Sequence, residues 1–161
     1  MKRFSRDFKT PRHNTGRNVL IVENDQSMEP VSITKTGPAQ YFSKIFESRE
    51  MAHVYHLQLK GSQGSYAQHI ALGEYYEGIL DILDELVEVY QGQYDIVEGY
   101  NIIDTQNTQT QDKLEYFTQT VEFLKTQRYT LLSQDDPHYQ AIIDEIINLM
   151  YRLIYKLRFL K

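Results

Sequence analysis

Three of the chain's five histidines, His53, His56 and His69, fall close together, and an unusually acidic segment follows: Glu74, Glu77, Asp81, Asp84, Glu85 and Glu88. Imidazole and carboxylate together form a ligand set for iron, manganese or zinc. His53 and His56 are three apart and so share one face of a helix, while Glu77, Asp81, Asp84 and Glu88 recur at i, i+4, i+7 and i+11 as one stripe. Like charges crowded on such a stripe repel unless a cation or water screens them. The spacing also sets a condition on any shared ion. His69 precedes Asp84 by fifteen residues, roughly 22 Å along a straight helix at its rise of about 1.5 Å per residue. One helix cannot bring both to a common ion. Two antiparallel copies related by a two-fold axis can, because the start of one helix then meets the end of the other. The plainer alternative is a solvated acidic face with structural histidines at a helix junction.

Other chemistries find no foothold. The chain has no cysteine, which excludes a disulfide scaffold, a thiolate zinc or iron–sulfur site and a cysteine nucleophile. It contains no P-loop, no GxGxxG, no Gly-x-Ser-x-Gly and no zinc-finger spacing, so hydrolase, kinase and dehydrogenase readings lack support. A di-iron centre within one bundle wants Glu-x-x-His on two helices. Glu50 and His53 supply one such pair, but Glu145 is followed by Asn148 at the corresponding place. The thirteen tyrosines fit core packing better than redox chemistry.

The elements that must position these groups are helical. Gly37-Pro38 puts a proline where a helix needs no N–H, and Phe42, Ile45 and Phe46 begin an apolar face running to Leu59, with Gly61 as the stop. This predicts a first helix over 38–60. Ser65 and Gln68 fit a reciprocal capping box, and Leu72, Tyr76, Ile79, Leu83, Leu86 and Tyr90 continue at helical spacing, predicting a second helix over 66–91. Glycines, asparagines and threonines then predict a crossover over 92–110, with room for one helical turn. A third helix begins near Thr108 or Thr110 and carries Leu114, Phe117, Val121, Leu124 and Tyr129. Asp136-Pro137 caps and starts a fourth, with Ile142, Ile146, Leu149, Leu153 and Tyr155 on its face. Hairpin, long link, hairpin is the connectivity of an all-α, ferritin-like antiparallel four-helix bundle.

At 161 residues, 41% hydrophobic and 24% charged, the chain has the composition of one globular domain. Its net charge of −5 conceals an asymmetry. Lys2, Arg3, Arg6, Lys9, Arg12 and Arg17 stand against the single acid Asp7 in residues 1–18, so the rest of the chain is strongly acidic. Residues 1–37 therefore read as a basic, irregular N-terminal arm, suited either to polyanions such as DNA or to plain solvation, and residues 38–161 as the bundle. Val19-Leu20-Ile21-Val22 is a short strand or an anchor on a neighbouring subunit, and is too short for a signal-peptide core. No run of apolar residues is long enough to span a membrane, and the expected location is the cytoplasm.

The stretch from His53 through His56 and Lys60-Gly61, followed by Tyr66, His69, Asp84 and Glu88, resembles the DNA-protecting mini-ferritins, the Dps-like family. It is similar, too, to small phage and gut-bacterial proteins that share this relation. The resemblance covers roughly residues 40–90 by motif and the whole chain by helix layout. It implies a homo-oligomer of two-fold dimers, up to a hollow dodecamer, that oxidises Fe(II), preferentially with hydrogen peroxide, and stores ferric iron. It implies His56 and His69 as metal ligands from one subunit and Asp84 and Glu88 from its partner, with His53, Glu77 and Asp81 as further candidates. It also implies nucleoid association through the basic arm. The sequence departs from the family pattern at Gly73, where an aspartate is usual one turn after the second histidine. Leu57 replaces an aromatic, and one extra residue separates Gly61 from His69. Glu74 and Glu77 are the nearest substitute carboxylates, neither in register. These departures suit an alternative, a non-catalytic ferritin-like binding or structural protein associated with nucleic acid or a virion.

Overall fold

The computed structural model describes residues 37–60, 65–131 and 135–160. The basic arm with Lys2, Arg3, Arg6, Lys9, Arg12 and Arg17, the segment 19–22 and Gly61 lie outside the described residues. Four long helices account for most of what is described: α1 (Pro38–Gln58), α2 (Tyr66–Gln93), α3 (Lys113–Leu131) and α4 (Pro137–Phe159). The described residues contain no strand, and no helix among them is long and apolar enough to cross a membrane.

The helix starts follow local chemistry, with three corrections. Pro38 opens α1 behind an extended Gly37, as the missing N–H allows. Ser65 Oγ accepts the Gln68 amide N–H at 3.2 Å at the head of α2. The reciprocal half of the expected box is replaced by a tertiary bond, because the Gln68 side chain donates instead to the Leu157 carbonyl of α4 at 3.3 Å. Asp136 precedes Pro137 as expected but does not cap α4. Its carboxylate accepts from Tyr94 at 2.9 Å and Gln93 at 3.3 Å, tying the end of α2 to the start of α4. The third helix starts later than the threonines suggest. A single 3₁₀ turn, Gln106–Gln109, takes up the region of Thr108, and Asp112 then caps α3 through the Glu115 N–H at 2.9 Å.

α1 and α4 each pack against both α2 and α3. Bonds between helices give their directions. Near its start α1 meets the end of α3 (Tyr41 hydroxyl to Leu124 carbonyl, 3.1 Å), and α2 meets α4 head to tail (Ser65 with Leu160, Tyr139 with Val89). Both contacts are antiparallel. The link over 94–112 is fastened to α1 near both ends: Asn101 N–H donates to Ser43 Oγ at 2.8 Å, and Gln58 donates to Thr108 at 3.2 Å. Gly99 in this link sits at φ +77°, a conformation that side-chain-bearing residues rarely take.

The core is unusually rich in tyrosine, and each buried hydroxyl finds a partner. Tyr75 pairs with Ser48 at 2.7 Å, Tyr116 donates to Glu47 at 3.0 Å, and Tyr55 donates to the Gln111 carbonyl at 3.2 Å. Two expected core tyrosines face solvent instead. Tyr129 is displaced because its neighbour Arg128 takes the inward position, bonding Asp144 and Gln140 of α4. Tyr155 is displaced because Ile154 and Leu157 fill the layer.

Burial raises the Tyr55 hydroxyl to about 12 and pushes those of Tyr41, Tyr75 and Tyr116 higher still, Tyr116 with added repulsion from Glu47. A pKa raised on folding means these groups stay neutral in the fold where the unfolded chain's tyrosines, near pH 10, have ionised. Their stabilising contribution is complete below that pH; that of Tyr55 is lost as pH climbs through about 12, and those of Tyr41, Tyr75 and Tyr116 at higher pH still. Alkaline titration followed together by tyrosinate absorbance and far-ultraviolet circular dichroism should show exposed tyrosines ionising first. The buried set should ionise only as helicity collapses.

Candidate metal centre

His56 lies in the last turn of α1 and His69 in the first turns of α2, so the short connection between these helices sets the two rings side by side. The rings stack with centroids 3.7 Å apart and planes 22° from parallel. They are locked reciprocally: His56 Nδ1 bonds the His69 carbonyl at 2.9 Å, and His69 Nδ1 bonds the His56 carbonyl at 3.3 Å. A carbonyl oxygen only accepts, so both Nδ1 atoms donate. In the neutral rings this leaves each Nε2 with its lone pair. An Nδ1–H held by a carbonyl is the outer bond that fixes orientation and tautomer in metal-binding imidazoles. The His56 carbonyl is also one of the last four of α1, which lack an intrahelical partner, so the same contact closes the helix end.

Tyr76 extends the cluster. Its ring lies 4.5 Å from His53 and 5.4 Å from His56, and its hydroxyl donates to Glu77 at 3.3 Å. His53 is therefore packed on Tyr76, one step removed from the stacked pair. In the sequence Tyr76 reads as a core residue, because it continues the apolar spacing of α2. The available signal was its distance of seven residues from His69, two turns along the same face.

Gly73 is buried beneath this cluster. A Cβ built there would meet only the His56 ring, its Cε1 and Nδ1 atoms each at 3.5 Å, which is ordinary contact. A side chain at 73 would thus emerge directly beside His56. Neither nearby carboxylate takes that place. Glu74 is drawn into an ion pair with Lys156 of α4, and Glu77 is exposed one turn further on.

Asp81, Asp84 and Glu88 are all exposed on α2, which runs unbroken from Tyr66 to Gln93. Asp84 therefore stays roughly 22 Å along the axis from His69. Among the described residues of one chain, no three histidine, aspartate or glutamate side chains converge on a point that could hold a metal ion. What one chain offers is two fixed imidazoles at one end of α2 and a solvated carboxylate stripe toward the other. Beside the pair, the Tyr66 ring stacks on His69 with centroids 6.4 Å apart and is itself 80% exposed.

No curated protein and no solved structure matches this chain. A family model matches residues 56–157, from the first of the stacked histidines to the last turn of α4. That span is most of the chain, and the protein belongs to the family of unknown function DUF5856.

Proposed function

We propose that this protein is a Dps-like iron protein, in which Fe(II) is the substrate and is bound between two copies of the chain. His56 and His69 of one copy and Asp84 and Glu88 of the other form the ligand set. The observation that carries this reading is the reciprocal His56–His69 lock, which orients both rings and leaves each Nε2 outside the lock, while no third histidine, aspartate or glutamate of the same chain converges with them among the described residues. The ferritin-like connectivity belongs to the same reading and draws support from the antiparallel contacts of α1 with α3 and of α2 with α4, and from the link fastened along α1.

In the reaction, two ferrous ions each give up one electron to hydrogen peroxide. The O–O bond breaks, and two protons complete two waters. Stacked as they are, the two imidazoles would each hold its own ferrous ion without adding charge, and the second copy's carboxylates would offset the positive charge as it rises. The acidic stripe then offers oxygen ligands to the ferric product. The basic arm, Lys2 through Arg17, serves DNA binding. Gly73 favours a second reading, a non-catalytic ferritin-like binding or structural protein, because the side chain that would meet His56 is missing.

Fe(II) added to the purified protein with peroxide, followed by ferric absorbance, separates the two. On the first reading oxidation outpaces buffer, and His56→Ala and Asp84→Ala each lose on the order of 10–100-fold. A wild-type rate equal to buffer overturns it. Gly73→Asp, with its carboxylate beside His56, is expected to tighten Fe(II) binding by about tenfold. Gly73→Ala is the control: it fits at ordinary contact distance, leaves oxidation unchanged and stabilises α2 by up to about 1 kcal/mol through helix propensity.

For the arm, retention of duplex DNA should fall steeply between about 50 and 200 mM salt and vanish on deletion of residues 1–18. Retention unchanged by that deletion would remove the arm from the reading.

A further inference from the structure

The outward face of α4 has no role in the site or in the bundle. Along it Ala141, Glu145, Asn148, Arg152 and Tyr155 are all exposed at spacings of three and four residues, while Ile143, Ile146, Met150 and Leu153 fill the core behind them. Ala141, Asn148 and Tyr155 are seven apart, the repeat of a seam that packs against another helix. Tyr155 and Phe159 on this side are 56% and 62% exposed, with ring centroids 5.4 Å apart, an aromatic pair turned to solvent.

The row is graded along its length. Its first half is small and acidic, with Ala141 and Glu145. Its second half is large and basic, with Arg152 and Tyr155. Among the described residues, neither Glu145 nor Arg152 takes part in an ion pair. A polyanion fits poorly, since it would meet Glu145 and an acidic body. The row does, however, complement its own reverse. Laid antiparallel on itself with the axis at Asn148, it brings Glu145 and Arg152 onto the same flank one residue out of level, about 1.5 Å along the axis and within side-chain reach. It also sets Ala141 against Tyr155, small against large, and the Asn148 amide against its own copy. In antiparallel helix pairs each flank meets the same flank of the other helix, so both Glu145–Arg152 pairs form at once.

We infer that α4 docks antiparallel on α4 of a second copy, about a two-fold axis passing through Asn148. The interface is isologous, and its charge pairs occur twice by symmetry. Its polar centre fixes the register, as a buried asparagine does in a helical seam. This inference is independent of the iron reading, since it uses neither the histidines nor the α2 carboxylates.

The absence of native cysteine makes the test clean. In the full-length chain, Asn148→Cys places a lone thiol at the axis and should give a covalent dimer under mild oxidation. Arg158→Cys, roughly 15 Å along the helix, should not. Glu145→Arg and Arg152→Glu should each weaken association by at least about tenfold in sedimentation, and the double swap should restore it to within about threefold. Circular dichroism checks that each variant is folded, and His56→Ala should leave the Asn148→Cys cross-link intact. No cross-link through Asn148→Cys, or a double swap no better than the singles, overturns the inference. So would retention of a single-stranded oligonucleotide that is lost in Tyr155→Ala without any cross-link, which would assign the face to a polyanion.

Discussion

The straightness of α2 governs what this molecule can do. An unbroken helix of 28 residues keeps its first histidine and its later acids apart by a distance that no side-chain rotation spans. Hydrogen bonding along the backbone enforces this. A kink would need a proline, an inserted side chain or a bulge, and α2 has no proline. Any chemistry that joins imidazole and carboxylate here therefore takes its second half from another molecule. The same rigidity makes the arrangement useful, because each half can be oriented by its own fold before the halves meet.

The imidazole half is oriented by the end of one helix and the beginning of the next. Helix ends leave backbone groups without partners, and a side chain that satisfies one gains a fixed position in return. His69 does this for the His56 carbonyl, and Ser65 does it for the Gln68 amide three residues earlier. The bundle holds this corner from below. Tyr75 and Tyr55 pin α1 to α2 and to the link, and Gln68 pins the head of α2 to the tail of α4. A structure stabilised by buried hydroxyls donating to named acceptors has little freedom to slide, because each displaced donor would be left buried without a bond.

The parts of this fold that were readable in the sequence are those decided locally. Pro38 and Pro137 open helices because their backbone conformation and missing N–H suit that position in any context, and Ser65 caps because its acceptor is three residues away. The parts that were not readable depend on partners distant in the chain. Asp136 looks like a cap until Gln93 and Tyr94 are seen to claim its carboxylate. Tyr129 looks like a core residue until Arg128 is seen inside with Asp144 and Gln140. The candidate site divides in the same way. If His69, Asp84 and Glu88 are to share an ion, their spacing alone already assigns the acids to a second copy. The reciprocal lock of His56 and His69, the packing of Tyr76 on His53, and the engagement of Glu74 by Lys156 are tertiary facts that spacing does not contain.

The two proposals place a second copy on two separate faces of this chain, for different physical reasons. On the α1–α2 side the reason is chemical: two fixed imidazoles flanked by the exposed Tyr66, with the carboxylates proposed to join them at the other end of α2. On α4 the reason is steric and electrostatic, a row whose small acidic half matches its large basic half. One isologous face gives a dimer and stops, since the pair satisfies itself. Two such faces on one subunit do not stop at the dimer, because every copy bound through one face still presents the other. The outcome is then a closed assembly when the two axes meet at an angle that divides a half-turn evenly, and an open array otherwise. The orientation of α4 relative to α2 therefore decides more than packing within the bundle. It sets the angle between the two axes, and so the form of any assembly through which the α2 carboxylates reach a neighbour's histidines.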